Sequence, residues 1–197
     1  MKANDTKAVD RFQLVRGLFL FCVAALLIIP AWGCAGKDFN DIKPGIGARG
    51  HYIEGVPFYK QKEYACGPAA LAGVLAFWRH PIELDQITVR VYMPELRGTL
   101  PMDMERFAKD AGFKTEASTG TLDALKASVQ SNVPVICLLD LGFSVYKQPH
   151  YVTVIGFDDA HRVVIMHDGI TRDRLMPFDE FNTAWERAGK WMIVIRP

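Results

Sequence analysis

Residues 56–78 read VPFYKQKEYACGPAALAGVLAFW. Within this stretch Leu71, Val74, Leu75 and Trp78 recur at helical spacing. Pro68 suits a first helical turn, where its missing N–H costs nothing. A helix over 68–78 is therefore expected, with Cys66 just before its N-terminus. The unpaired N–H groups of such a terminus carry roughly half a positive charge. That lowers a thiol pKa and favours the thiolate, which is the nucleophile. Gly67 would leave room for a substrate backbone, and its N–H and that of Cys66 could both point at a developing oxyanion. Gln61, five residues upstream, could add an amide donor. A lone cysteine at a helix start can equally be a small packed hydrophobe, so its meaning depends on the rest of the chain.

Further helices are expected over 84–92, over 101–111 with Gly112 closing it in the left-handed slot, and over 122–130 with Thr121 as its cap. The periodicity then changes. Residues 134–139 form a continuous apolar run, and HYVTVIGF (150–157) and RVVIMH (162–167) read as two strands joined by a tight turn. A helix over 177–188 and a last strand over 191–195 complete the chain. Helices first and an antiparallel sheet second argue for an α+β domain. Cys137, in the apolar run, and Trp78, Trp185 and Trp191 read as core.

Two strand-end residues bear on Cys66. His150 opens one strand of the hairpin, and Asp168 closes the other. Side chains of paired strands share a face only in the right register. A two-residue turn at 159–160 would put Asp168 opposite Tyr151, on the wrong face. Three-residue turns at 158–160 or 159–161 would put it opposite His150 or Val152, on the right one. An odd-length turn is therefore expected. Asp168 would then accept from one imidazole nitrogen and leave the other facing Cys66, giving a nucleophile, a base and an orienter. His167 is the alternative partner if the turn has two residues.

The chain has 197 residues, half of them apolar, 23% charged, with a net charge of +1. This composition excludes a disordered or collagen-like chain, and it gives no electrostatic footprint for nucleic acid. Lys2, Lys7, Arg11 and Arg16 precede a charge-free run over 17–36 whose centre is LFLFCVAALLIIP. That is the pattern of a secretory signal. It ends in Ala31-Trp32-Gly33-Cys34, which resembles a bacterial lipobox with Cys34 as the lipidated residue. An uncleaved anchor is the other reading, since about 20 residues can span a bilayer. Either reading exports the remainder and tethers it to the membrane facing the periplasm. Lys37, in place of an inner-membrane-retaining Asp, leans toward the outer membrane. The expected organisation is signal or anchor over 1–36, a Pro/Gly-containing tether over 37–51 and one domain over 52–197.

CGPAAL after an upstream Gln, followed by HYVTVIGFDD and VIMHDG, resembles the bacteriocin-processing (double-glycine) cysteine peptidase family over about residues 56–170. The resemblance implies a papain-like fold with N-terminal helices packed on a C-terminal sheet. It implies Cys66 as nucleophile, His150 as general base and later acid, Asp168 as orienter and Gln61 as oxyanion donor. A peptide or protein would be the substrate, and no cofactor or metal is needed. The Gln stands five residues before the Cys, where the best-known exporter members have six. No Walker A pattern provides an ATP site, and the signal places the domain outside the cytoplasm, so cleavage of double-glycine leaders does not carry over. Two other readings fit the same residues: acyl transfer to an amine, as in phytochelatin synthase, and a non-catalytic peptide-binding module.

Overall fold

The computed structural model describes residues 38–61, 64–143 and 145–197. The expected signal or anchor over 1–36, with Cys34, lies outside them. Seven strands form one antiparallel sheet: β1 (Gly50–Tyr52), β4 (Lys114–Thr119), β5 (Val135–Asp140), β6 (Pro149–Asp158), β7 (Val163–His167), β8 (Arg174–Pro177) and β9 (Trp191–Arg196). The order is β4-β9-β5-β6-β7-β8, and β1 pairs with the far end of β6. A two-stranded ribbon, β2 (Tyr92–Met93) with β3 (Gly98–Thr99), stands apart from the sheet. The helices are α1 (Phe39–Ile42), α2 (Ile46–Arg49), α3 (Cys66–Phe77), α4 (Leu84–Val91), α5 (Pro101–Asp110), α6 (Leu122–Gln130) and α7 (Phe178–Arg187).

Alternation along the strands sends side chains to two cores. Ile136, Tyr151, Ile193 and Ile195 pack with Leu71, Leu75, Ile87 and Met104 of α3, α4 and α5. Val135, Cys137, Val152 and Val154 pack on the opposite face with Leu125 of α6 and Phe181 and Trp185 of α7. Trp185 is fully buried, and its indole N–H donates to the Trp191 carbonyl at 2.9 Å. Trp185→Ala is expected to cost about 3–5 kcal/mol of stability by the cavity and lost transfer energy, measurable by denaturant unfolding. Trp78 and Trp191 are only partly buried, at the edge of the α3–α5 core.

The expected helices and strands all form, within one or two residues of the expected bounds. Thr121 caps α6 by accepting from Ala124 N–H at 3.1 Å, and Gly112 is left-handed at φ +89°. Two differences matter. Residues expected to be a tether instead form α1, α2 and β1, because Phe39, Ile42 and Ile46 point one stripe into the sheet's core. β4 went unpredicted, since its residues are mostly exposed and only its pairing with β9 makes it a strand.

The hairpin that carries His150 also differs from expectation. β6 and β7 close at Asp158↔Val163, so the loop 159–162 has four residues. Its shape is set by the Asp158 carboxylate, which accepts from Ala160 N–H at 2.7 Å and from His161 N–H at 3.3 Å. Arg162 takes the left-handed conformation, φ +54°. A straight ladder from that turn would set Asp168 opposite Thr153, on the wrong face. A bulge at Ile155 shifts the register, so that Val154 meets Met166 and Thr153 meets His167. Asp168 therefore follows opposite Val152, on the face of His150. The expected face is reached through an even loop plus one extra strand residue.

Candidate active site

Cys66 is the first residue of α3, and Ala65 before it has non-helical backbone angles. Pro68 and Ala69 lie buried in the first turn, so the helix start is fixed by packing. Facing it, His150 near the start of β6 is buried, and its ring is close enough to the Cys66 thiol for each group to shift the other's proton affinity. Burial alone would push that thiol up. The His150 hydrogen bond, the Tyr151 N–H, the His150 charge and the Gly67 N–H outweigh it, and the thiol lies below its ordinary value. Burial would likewise push the His150 ring down. The bond to the Cys66 sulfur, that sulfur's charge and the Asp168 main chain overcome this and raise it. A lowered thiol facing a raised imidazole favours a thiolate–imidazolium pair.

Asp168 reaches His150, but not through its carboxylate. The His150 Nε2–H donates to the Asp168 main-chain carbonyl at 2.7 Å, leaving Nδ1 for the thiol. The Asp168 carboxylate is occupied elsewhere. Its Oδ1 accepts from Ile170 N–H at 2.8 Å and Thr171 N–H at 2.6 Å, and its Oδ2 accepts from Arg174 at 2.9 Å. Burial would raise this carboxyl, yet the Thr171 N–H, Arg174 and the Ile170 N–H hold it below the usual range. The expected carboxylate–imidazole contact is thus replaced by a carbonyl–imidazole one, because the turn after β7 offers the carboxylate its own N–H groups.

Gln61 is held beside the site: its N–H donates to the Gly169 carbonyl at 2.8 Å. Its side chain packs where a Gly169 Cβ would be, 2.8 Å from Oε1, and that oxygen is buried without a partner. Gly67 does not leave a vacancy for substrate, as was expected. A Cβ there would lie 2.9 Å from the Thr99 side chain, so the missing side chain makes room for β3 against α3. Gly67→Ala should push β3 off the helix and lower stability by about 1–3 kcal/mol, seen as a lower denaturation midpoint. Thr99 is itself held by the Tyr151 hydroxyl, which donates to its carbonyl at 3.0 Å.

His167 points to the other face of the hairpin and is fully engaged. Its Nδ1 accepts from Asp173 N–H at 3.2 Å, so Nε2–H donates to the Val56 carbonyl, 3.1 Å away. It is not placed to orient His150. Cys137 is completely buried, and burial pushes its thiol up. A hollow of about 700 Å³ between α4 and α5, lined by His80, Ile82, Val89 and Phe107, contains none of these residues. Arg174 was missed from the sequence, where it had no signal beyond a charge in a short strand.

Residues 53–193 match the Peptidase_C39 like family. No curated protein matches the sequence. Among solved structures, a C39-like peptidase from Bacillus anthracis is 17% identical with a TM-score of 0.64, covering 76% of this chain and 98% of that one. A double glycine motif protease from an AMS/PCAT transporter, in complex with the leader peptide, is 21% identical with a TM-score of 0.61, covering 75% and 94%. Xylellain, a cysteine protease from Xylella fastidiosa, is 12% identical with a TM-score of 0.52, covering 75% and 85%. These likenesses show the papain-like fold.

Proposed function

Because the chain belongs to the Peptidase_C39 like family, we propose that it is a cysteine peptidase that hydrolyses peptide bonds through a thioester on Cys66. The observation that carries this reading is the pairing of partly buried Cys66, at a helix N-terminus, with buried His150. The Cys66 thiolate attacks the scissile carbonyl, and the oxyanion develops near the main-chain N–H groups of the α3 terminus and the Gln61 amide. His150 gives its proton to the departing amine, and the amine-containing fragment leaves. His150 then takes a proton from water as the water attacks the thioester, which frees the acid and restores the thiol.

A peptide substrate is supported by the family and by the leader peptide bound to a similarly folded protease. Specificity would come from the loops 94–101 and 142–149. Leu96, Phe143, Val145 and Tyr146 in them are large, apolar and exposed, so the preferred side chains near the cleaved bond would be apolar. Export, with tethering through lipidated Cys34 or an uncleaved anchor, belongs to the same proposal and rests on residues 1–36. The enzyme would then work on the periplasmic side, at the outer membrane.

The test is product analysis. A mixed peptide library incubated with the protein is expected to yield new free carboxyl termini by mass spectrometry. Adding an amine acceptor should not divert the products. Amide-capped products would replace hydrolysis by acyl transfer, and no products from any peptide would reduce the domain to a binding module.

A further inference from the structure

The buried Asp168 carboxylate has its two oxygens filled by Ile170 N–H, Thr171 N–H and Arg174, while its carbonyl meets His150 Nε2 at 2.7 Å. Within the turn that follows, the main chain makes one long bond, Asp168 N–H to the Thr171 carbonyl at 3.4 Å, while Gln61 N–H holds the Gly169 carbonyl from outside it at 2.8 Å. The carboxylate bonds shape the remaining part of the turn, and Arg174 is the charged group that holds the carboxylate in place for them. The neighbouring charges are otherwise engaged: Arg172 lies 3.7 Å from Asp173, and Asp173 accepts from the Tyr52 hydroxyl at 2.9 Å. Asp168 is 2% exposed, and the Arg174 side chain is partly exposed in β8. An uncompensated carboxylate at that depth would seek another partner; the His150 and His167 rings both feel its charge, and His167 is already held by the Asp173 N–H and the Val56 carbonyl.

Resting on the peptidase reading above, we propose that Arg174 is a positioning residue: by holding the Asp168 carboxylate in its turn, it aims the Asp168 carbonyl at the His150 imidazole. The carbonyl fixes the neutral ring with its proton on Nε2 and its lone pair on Nδ1, facing the sulfur. Arg174 also keeps the carboxylate from bonding the ring directly. Arg174 touches neither thiol nor imidazole, and its influence passes through Asp168.

The test uses iodoacetamide, which alkylates the thiolate and needs no substrate. Its rate with Cys66 is followed against pH in the wild type, Arg174→Gln, Arg174→Lys and Asp168→Asn. In Arg174→Gln the turn loosens, the ring loses its aim, and the midpoint of the alkylation profile moves up. Reactivity at neutral pH falls roughly tenfold to a hundredfold. Arg174→Lys restores part of it, and Asp168→Asn loses no more than Arg174→Gln does. The opposite sign overturns the proposal: if Arg174→Gln moves the midpoint down, the freed carboxylate has swung onto the imidazolium and stabilised it. An unchanged profile in Arg174→Gln overturns it as well. His150→Ala separates this from the parent reading. If His150→Ala leaves the wild-type profile unchanged, the Cys66–His150 pair itself fails. The Nε2–H proton resonance of His150, protected in wild type and lost in Arg174→Gln, then still decides the role of Arg174.

Discussion

Cys66→Ala is expected to lower peptide hydrolysis by about four orders of magnitude or more and to leave the fold intact. The magnitude is that of removing a nucleophile from a unit whose members act together. Stability should change little, because Cys66 is only partly buried and packs at the edge of the α3–α5 core. The check has two parts. Labelling by a thiol-reactive peptidyl probe should vanish in Cys66→Ala, and the unfolding midpoint should match wild type. Cys137 provides the internal control: it is also a free thiol, but it is completely buried and burial pushes it up, so it should remain unlabelled in the folded protein. Labelling that survives Cys66→Ala would assign the reactive thiol elsewhere.

His150→Ala should reduce hydrolysis by about three to four orders of magnitude, and its pH signature is more telling than its size. In wild type, the thiol lies below its ordinary value and the imidazole above its own. As pH rises through the lowered thiol value, the thiolate–imidazolium pair forms and activity appears. As pH rises through the raised imidazole value, the imidazolium loses the proton needed by the leaving amine, and activity declines. The profile is therefore a bell whose limbs belong to the pair. In His150→Ala the thiol loses the hydrogen bond and charge that lowered it, while its burial remains. The rising limb should move up, toward or beyond the ordinary thiol range, and the falling limb should vanish. A variant that kept both limbs would exclude His150 as the acid and base.

The pairing of Cys66 with His150 was legible because each sits at a boundary visible in the residue pattern. Pro68 and the apolar spacing after it mark a helix start, and the apolar alternation after His150 marks a strand start. Asp168 does lie on the expected face, but not by the odd-length turn the parity argument required: the loop is even, and the bulge at Ile155 restores the register. Strand parity could not choose which atom of Asp168 would meet the ring. That depends on whether the segment after Gly169 presents N–H groups to the carboxylate, and on Arg174 arriving from a strand too short to be read in advance. Gly67 was misread for a related reason: the vacancy beside a glycine is visible in sequence, but its occupant, here Thr99, is not. The segment before residue 50 carried its own signal. Phe39, Ile42 and Ile46 are spaced by three and four, yet the Pro and Gly residues among them favoured reading it as a tether.

The extra residue in β6 bears on how relatives of this protein can be recognised. Ile155 is passed over by β7, and its carbonyl turns instead to accept from Ile53 N–H at 2.8 Å. A chain lacking that position could keep every other rung of the hairpin, and its histidine and aspartate would meet as before. Their separation would then be one shorter than the 18 positions found here. A search pattern that demands a fixed count between the two would divide a single catalytic design into unrelated groups. One that tolerates a swollen rung would keep them together.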